Sequence, residues 1–270
     1  MTKLALTLLC LILLLAGIAA LALRLRSGSI LAHTPAPSRM KTFPRLFLWA
    51  WEREENLQFI NPREVGVAFL AATVTLRGEE VIEHPRLQPL RIPDGTTLIA
   101  VVRIETARDP QPALSDKQRA SLAELLIKFT RGQNISALQI DFDVTMSERK
   151  FYGDLLRDVR RSMPAAMPLS MTALASWCVY DEWLDELPVD EAVPMLFQMG
   201  LDKKRINSYL DAGGELRAPL CRSSLGISTD EARASFKHTE RVYIFNSQPW
   251  SETTVRQALE RSRNEKPVVP

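Results

Sequence analysis

The sequence predicts an α/β protein, a (β/α)8 TIM-like barrel that is irregular in its first half and preceded by an N-terminal transmembrane or signal helix. Three observations carry that reading. Eight short apolar runs, rich in β-branched and aromatic residues, recur along the chain. Helical patterns alternate with them through the second half, and such alternation implies parallel strands joined by right-handed crossovers. The 270 residues have room for one barrel of about 250 residues, and a second full domain does not fit. The organisation read from the chain is a signal peptide or membrane anchor over residues 1–26, a linker over 27–43 and a single barrel domain over 44–270.

The runs are Leu46–Trp51, Val65–Val74, Thr97–Ile104, Ala137–Phe142, Leu169–Leu174, Ala192–Met199, Leu220–Ile227 and Arg241–Asn246. Between the third and fourth, Ser115 and Gln118 have the spacing of a capping box, Leu122, Leu125, Leu126 and Phe129 share one helical face, and Gly132 stands just past the end. After the fourth run a helix opened by Ser147 carries Tyr152, Leu155, Leu156 and Val159 on one stripe and stops before Pro164. Further helices are expected over Glu182–Leu187, Lys204–Ala212, Thr229–Lys237 and Glu252–Arg261. Leu76 to Asp94 has no helical period, so extended chain is expected to replace a helix there. A doubly wound sheet is disfavoured, because no GxGxxG or GxxxxGK[ST] loop is present to cradle a nucleotide phosphate.

Composition narrows the function classes. Hydrophobic residues make up 46% and charged residues 24% of the chain, as in a packed globular protein. The 34 basic and 32 acidic side chains are interspersed and give a net charge of +2, so no footprint for nucleic acid stands out. The apolar stretch from Leu4 to Leu23, flanked by Lys3, Arg24 and Arg26, suits either a retained membrane anchor or a signal peptide cut near Ala22. Both place the rest of the chain in the bacterial cell envelope, in the periplasm, anchored in the inner membrane or released from it. Cys10 lies inside the apolar stretch and reads as lipid-facing packing. Cys178 and Cys221 remain in the exported part, where an oxidising compartment permits a disulfide if their Cα atoms come within range. With no CxxC and only scattered histidines, a structural metal site is not expected, and no cofactor is implied.

In a TIM barrel the reacting groups come from the carboxyl ends of the strands. The first run ends in Trp49, Trp51 and Glu52, the third in Arg103 and Glu105, the fourth in Asp141 and Asp143. The fifth supplies Thr172 and then Trp177, the sixth Gln198, the eighth Asn246 and then Trp250. Period two puts Gln139, Asp141 and Asp143 on one face of the fourth strand, toward the barrel axis, and Leu138, Ile140 and Phe142 on the other. Arg103 shares a face with Glu105 and is expected beside Asp141, either as a buried pair filling the barrel mouth or as part of a site. The polar residues are hydrogen-bonded framework or hydroxyl contacts, and the tryptophans are core or stacking faces for sugar rings. A serine-hydrolase triad is not supported: Ser224 and His238 lack the GxSxG turn.

The segment "LQIDFDVT" (138–145) resembles the fourth-strand signature DGxDxDxE of the chitinase-type glycoside hydrolases of family eighteen. Asp141 and Asp143 match its second and third aspartates, while Leu138, Gln139 and Thr145 replace the first aspartate, the glycine and the proton-donating glutamate. A broader resemblance runs through "LFLWAWEREENL", "GVAFLAATV", "LIAVVRIE", "LQIDFDVTMSERKFYGDLLRDVR", "LSMTALASW" and "RVYIFNSQPW" to a bacterial family catalogued as domain of unknown function 3142. It implies a glycoside-hydrolase-like barrel and leaves the substrate unnamed.

Two functions follow as expectations. In the first, the chain hydrolyses a polysaccharide or glycan with Asp141 and Asp143 at the catalytic centre, Asp143 as nucleophile or base and Glu52 as acid, its pKa expected to be raised by Trp49 and Trp51. In the second, Thr145 marks a lost acid, and the barrel is a non-catalytic glycan-binding or envelope assembly protein.

Overall fold

The computed structural model describes residues 39–132, 134–231 and 239–264. The N-terminal apolar stretch, the linker up to residue 38, His238 and most of the helix expected over Thr229–Lys237 lie outside them. Among the described residues no helix is long and apolar enough to cross a membrane.

Eight strands form a closed parallel barrel: β1 (Leu46–Ala50), β2 (Val65–Arg77), β3 (Leu98–Thr106), β4 (Ile135–Asp141), β5 (Leu169–Leu174), β6 (Glu191–Met195), β7 (Ser224–Ser228) and β8 (Arg241–Phe245). Each pairs in parallel with the next, and β1 closes the ring by pairing with both β8 and β2. All eight apolar runs of the sequence therefore become barrel strands. Closure leaves no free edge in the ring, which removes the exposed edges of an open sheet.

The first half is irregular as expected. Strand β2 turns at Gly78 into an antiparallel strand, Glu80–Pro85, and a two-residue strand, Leu90–Arg91, pairs with Glu55–Asn56. Residues of β2 as far as Leu76 pair with β3, well past Ala50 where β1 ends, so a β-wall rises above one side of the barrel mouth. Helices α1 (Asp116–Lys128), α2 (Arg149–Ser162), α3 (Ala175–Tyr180), α4 (Lys203–Asp211) and α5 (Glu252–Asn264) follow β3, β4, β5, β6 and β8.

Two helix starts differ from expectation. Ser115 Oγ accepts the Gln118 N–H at 3.1 Å, but Gln118 donates its side-chain amide to Gly78 O and Glu80 O, both at 2.9 Å, and so docks α1 on the β-wall rather than completing a capping box. The capping box lies instead ahead of α2, where Glu148 Oε2 accepts from both the backbone N–H of Thr145 at 2.6 Å and its hydroxyl at 2.7 Å. The chain after β5 also departs from the reading: α3 begins at once at Ala175, and residues 182–187 form turns. Leu184 and Leu187 are buried there without a helix, and the chain leading into the segment is held by the ion pair of Asp181 with Arg149 at 2.6 Å and by the α3 disulfide.

Alternation sorts each strand into two cores. Leu46, Leu48, Leu138, Ile140 and Phe142 face outward and pack against Leu122, Leu126, Tyr152, Leu155 and Val159 of the helices. Phe47, Trp49, Ala68, Ile99, Val101, Ala137, Val193 and Tyr243 fill the barrel, with Met40 packed among them from the turn that precedes β1. The interior is tight: a Cβ built on Gly66 would sit 2.3 Å from Cε1 of the fully buried Phe47. Gly66→Ala is expected to cost about 1–3 kcal/mol, since overpacking forces ring or backbone to shift. A urea midpoint equal to wild type would show that Phe47 relaxes freely.

Cys178 of α3 and Cys221 are disulfide-bonded, their Cα atoms 5.9 Å apart across 43 residues of chain. The bridge ties the β5–α3 connection to the chain just before β7. The double variant Cys178→Ser/Cys221→Ser is expected to lose about 2–4 kcal/mol by freeing the unfolded chain. The check is denaturation with and without reductant, and equal midpoints for both proteins would refute it.

Candidate active site

A cavity of about 390 Å³ opens at the carboxyl ends of the strands. Trp49 and Trp51 line it from β1, Arg103 from β3, Asp141 and Asp143 from β4, Thr172 and Leu174 from β5, and Phe245 from β8. The chain after β6 contributes Phe197, Gln198, Met199 and Asp202, and α4 adds Ile206. The arrangement follows from period two. Gln139 is inside the barrel, where it accepts from Trp49 Nε1 at 3.0 Å, so Asp141 and Asp143 lie successively higher on the same face.

The two aspartates differ in environment. Asp141 is buried at the floor and accepts the Thr172 hydroxyl at 2.6 Å. Burial raises its carboxyl above the ordinary range; the Thr172 hydrogen bond and the Arg103 charge oppose that rise, and Glu105 adds to it. Asp143 stands at the mouth, open to solvent on one side. Loss of hydration where the protein surrounds the carboxyl pushes it up to about 6, with the Asp141 charge adding and Arg103 opposing. A carboxyl at that level exchanges protons near neutral pH, which is what general acid–base work requires.

Of the alternatives for Arg103, the buried pair with Asp141 is not the one formed. Although the two are register partners, its Nε bonds Glu105 at 2.9 Å, because both side chains leave the same face of β3 near the exposed rim. The space over the aspartates therefore stays open. Glu105 and Arg103 border a smaller recess of about 190 Å³ beside Asp141 and Asp143.

Glu52 is outside the cavity. It is exposed and accepts from the Thr73 hydroxyl at 3.2 Å, since β1 ends at Ala50 and the chain turns toward the β-wall. Trp177 is likewise not at the rim: it lies in α3, 3% exposed, edge-on to Trp183 at 5.0 Å. Trp250 is buried and donates Nε1 to Trp49 O at 3.0 Å, while its own N–H goes to the buried Glu55. Asn246 accepts the Thr229 hydroxyl and donates to Gln248 O at 2.7 Å, holding the turn after β8. Trp250 thus braces the wall that carries Trp49, and none of the three lines the cavity.

Several cavity residues were not singled out in the sequence. Phe197 and Phe245 stack at 5.7 Å with 5° between planes, and Trp51 meets Phe245 edge-on at 6.3 Å, making one apolar side opposite the charged one. Phe197 also borders Trp49. Their signal was weak, since an aromatic residue inside an apolar run reads as core. Asp202 stands past the end of the sixth apolar run, at the start of α4, and a polar residue opening a helix after a barrel strand is the signal that marks it. Among the described residues no group of histidine, cysteine and acidic side chains could hold a metal ion.

Residues 94–193 match the family model "Domain of unknown function (DUF3142)". That segment runs from the start of β3 into β6 and contains both cavity aspartates, so the resemblance read from the sequence holds where the site is built. Among solved structures, a candidate Chitinase A from Streptomyces coelicolor aligns with TM-score 0.52 and 12% identity, over 81% of this chain and 96% of that one. The spore cortex-lytic enzyme SleL of Bacillus cereus aligns at 0.45 and 15%, over 69% of this chain and 51% of that one. The chitinase domain of the spore coat protein CotE from Clostridium difficile aligns at 0.42 and 11%, over 80% and 68%. The first likeness shows the shared barrel fold. A comparison with curated proteins finds no match.

Proposed function

We propose that this chain is an envelope-exposed, carbohydrate-active protein that hydrolyses a glycosidic bond in a polysaccharide, with Asp143 as its central acid–base residue. The observation that carries the reading is the open cavity in which two carboxyls of perturbed protonation face an aromatic side. Flat apolar faces opposite polar groups suit sugar rings, which present apolar faces and hydroxyl edges. The chitinase-like form of the barrel is consistent with this and supports the fold only.

The export reading rests on the N-terminal apolar stretch and is supported by the Cys178–Cys221 bridge, since structural disulfides persist in oxidising compartments. In this reading the N-terminal segment tethers the barrel to the inner membrane on its periplasmic side, or is cut near Ala22.

One observation favours a second reading, a non-catalytic glycan-binding or assembly protein. Thr145, at the position of the usual proton-donating glutamate, gives its hydroxyl and its N–H to Glu148 in the cap of α2. The test is reducing-end release from a panel of bacterial polysaccharides and peptidoglycan by the full-length protein. Release supports the hydrolase. Saturable glycan binding without release supports the second reading.

A further inference from the structure

Hydrolysis by two carboxyl groups needs one to protonate the leaving oxygen and a second to activate water or attack carbon. Asp141 is poorly suited to be the second. It is buried at the floor, engaged by Thr172 and raised by that burial. The same cavity holds one more carboxyl, Asp202, on the connection between β6 and α4.

That connection is built to a defined shape. Gln198 and Gly200 both have left-handed backbone, φ 51° and 56°, and a non-glycine residue in that region is held there by its surroundings. Here the holder is Glu231 from beyond β7, which accepts the Gln198 N–H at 2.9 Å and pairs with Lys203 Nζ at 2.7 Å. The clasp brackets Asp202 on both sides. Ile206, one helical turn on, lines the cavity on the same face. The carboxyl of Asp202 makes an exposed ion pair with Arg205 at 3.0 Å, a contact of the weak surface kind that leaves it available. Asp143 follows β4 and Asp202 follows β6, with β5 between those strands, and both side chains line the one cavity.

We infer that Asp202 is the general base of an inverting hydrolysis in which Asp143 is the acid. The inference deepens the hydrolase reading and rests on it. As the bond from the anomeric carbon to the leaving oxygen breaks, Asp143 gives its proton to that oxygen. Water bonds to the anomeric carbon from the other face, and Asp202 takes the proton that water loses. Both carboxyls return to their starting states by exchange with solvent.

The test uses full-length wild type, Asp202→Asn and Asp202→Glu on whichever panel polysaccharide is cleaved, with thermal unfolding to verify folding and proton NMR to read the anomer first released. The expected result is inversion by wild type, a fall of about 10²–10⁴ in kcat for Asp202→Asn with KM nearly unchanged, and partial recovery in Asp202→Glu. A folded Asp202→Asn that cleaves at the wild-type rate, or retention of configuration, overturns the assignment and leaves the hydrolase reading intact. Failure of wild type to cleave any substrate overturns both.

Discussion

Glu191→Ala is expected to lose about 3–5 kcal/mol of stability, the usual cost of leaving a buried charge without its partner. Glu191 is fully buried inside the barrel near its amino end. Its Oε2 accepts from Arg241 Nε at 3.1 Å, and its Oε1 accepts from the Ser170 hydroxyl at 3.2 Å and from the Tyr243 phenol. Burial, reinforced by the Glu191 charge, raises the Tyr243 phenol well above its ordinary value, so it stays a neutral donor at any working pH. From Ser170 the chain of bonds continues through Gln139, at 3.0 Å, to Trp49. Removing the carboxylate strands the guanidinium of Arg241, 3% exposed, together with two hydroxyl donors. Glu191→Gln keeps the size and some of the hydrogen bonds and is expected to cost less. Equal urea midpoints for wild type and Glu191→Ala would show that water replaces the carboxylate.

The second large effect concerns catalysis. Asp143→Asn is expected to reduce hydrolysis by about 10²–10⁴, the range for loss of a positioned proton donor. The wild-type rate should fall as pH rises through about 6, where Asp143 gives up its proton. Stability follows with a defined sign. The ordinary aspartate value is 3.8, so between there and about 6 the folded chain holds a proton that the unfolded chain has released. The contribution of this group is present at low pH and is lost as pH rises across that window. Asp143→Asn should flatten this part of the stability profile and be the more stable protein above it. A variant that retains wild-type cleavage and the same pH limb would remove Asp143 from the mechanism, and identical stability profiles would remove the pKa argument.

Much of the fold was legible in the sequence because its determinants are local. A strand repeats every two residues whatever surrounds it, so the alternation of Gln139, Asp141 and Asp143 with Leu138, Ile140 and Phe142 assigned the inward face of β4 without coordinates. The same local logic marked the absence of a helix after β2 and the apolar stripe of α2. Where a side chain goes after its strand ends is not local. Trp177 and Trp250 follow strands in sequence, yet the turn into α3 buries one in the helix–barrel layer, and a hydrogen bond to Trp49 O draws the other into the wall.

Charge pairing escaped the sequence for a related reason. Arg103 had two carboxylates in reach, and only the relative depth of the side chains selects the exposed Glu105 over the buried Asp141. Glu191 and Arg241, fifty residues apart in sequence, meet only because the barrel closes and brings β6 and β8 to a common interior. What the sequence by itself determined is the barrel, its strand order and the aspartates at the carboxyl end of β4, because periodicity and length dictate them. The tertiary structure alone decided which carboxyls share the cavity, since that depends on where loops land and on which charges the interior leaves in water.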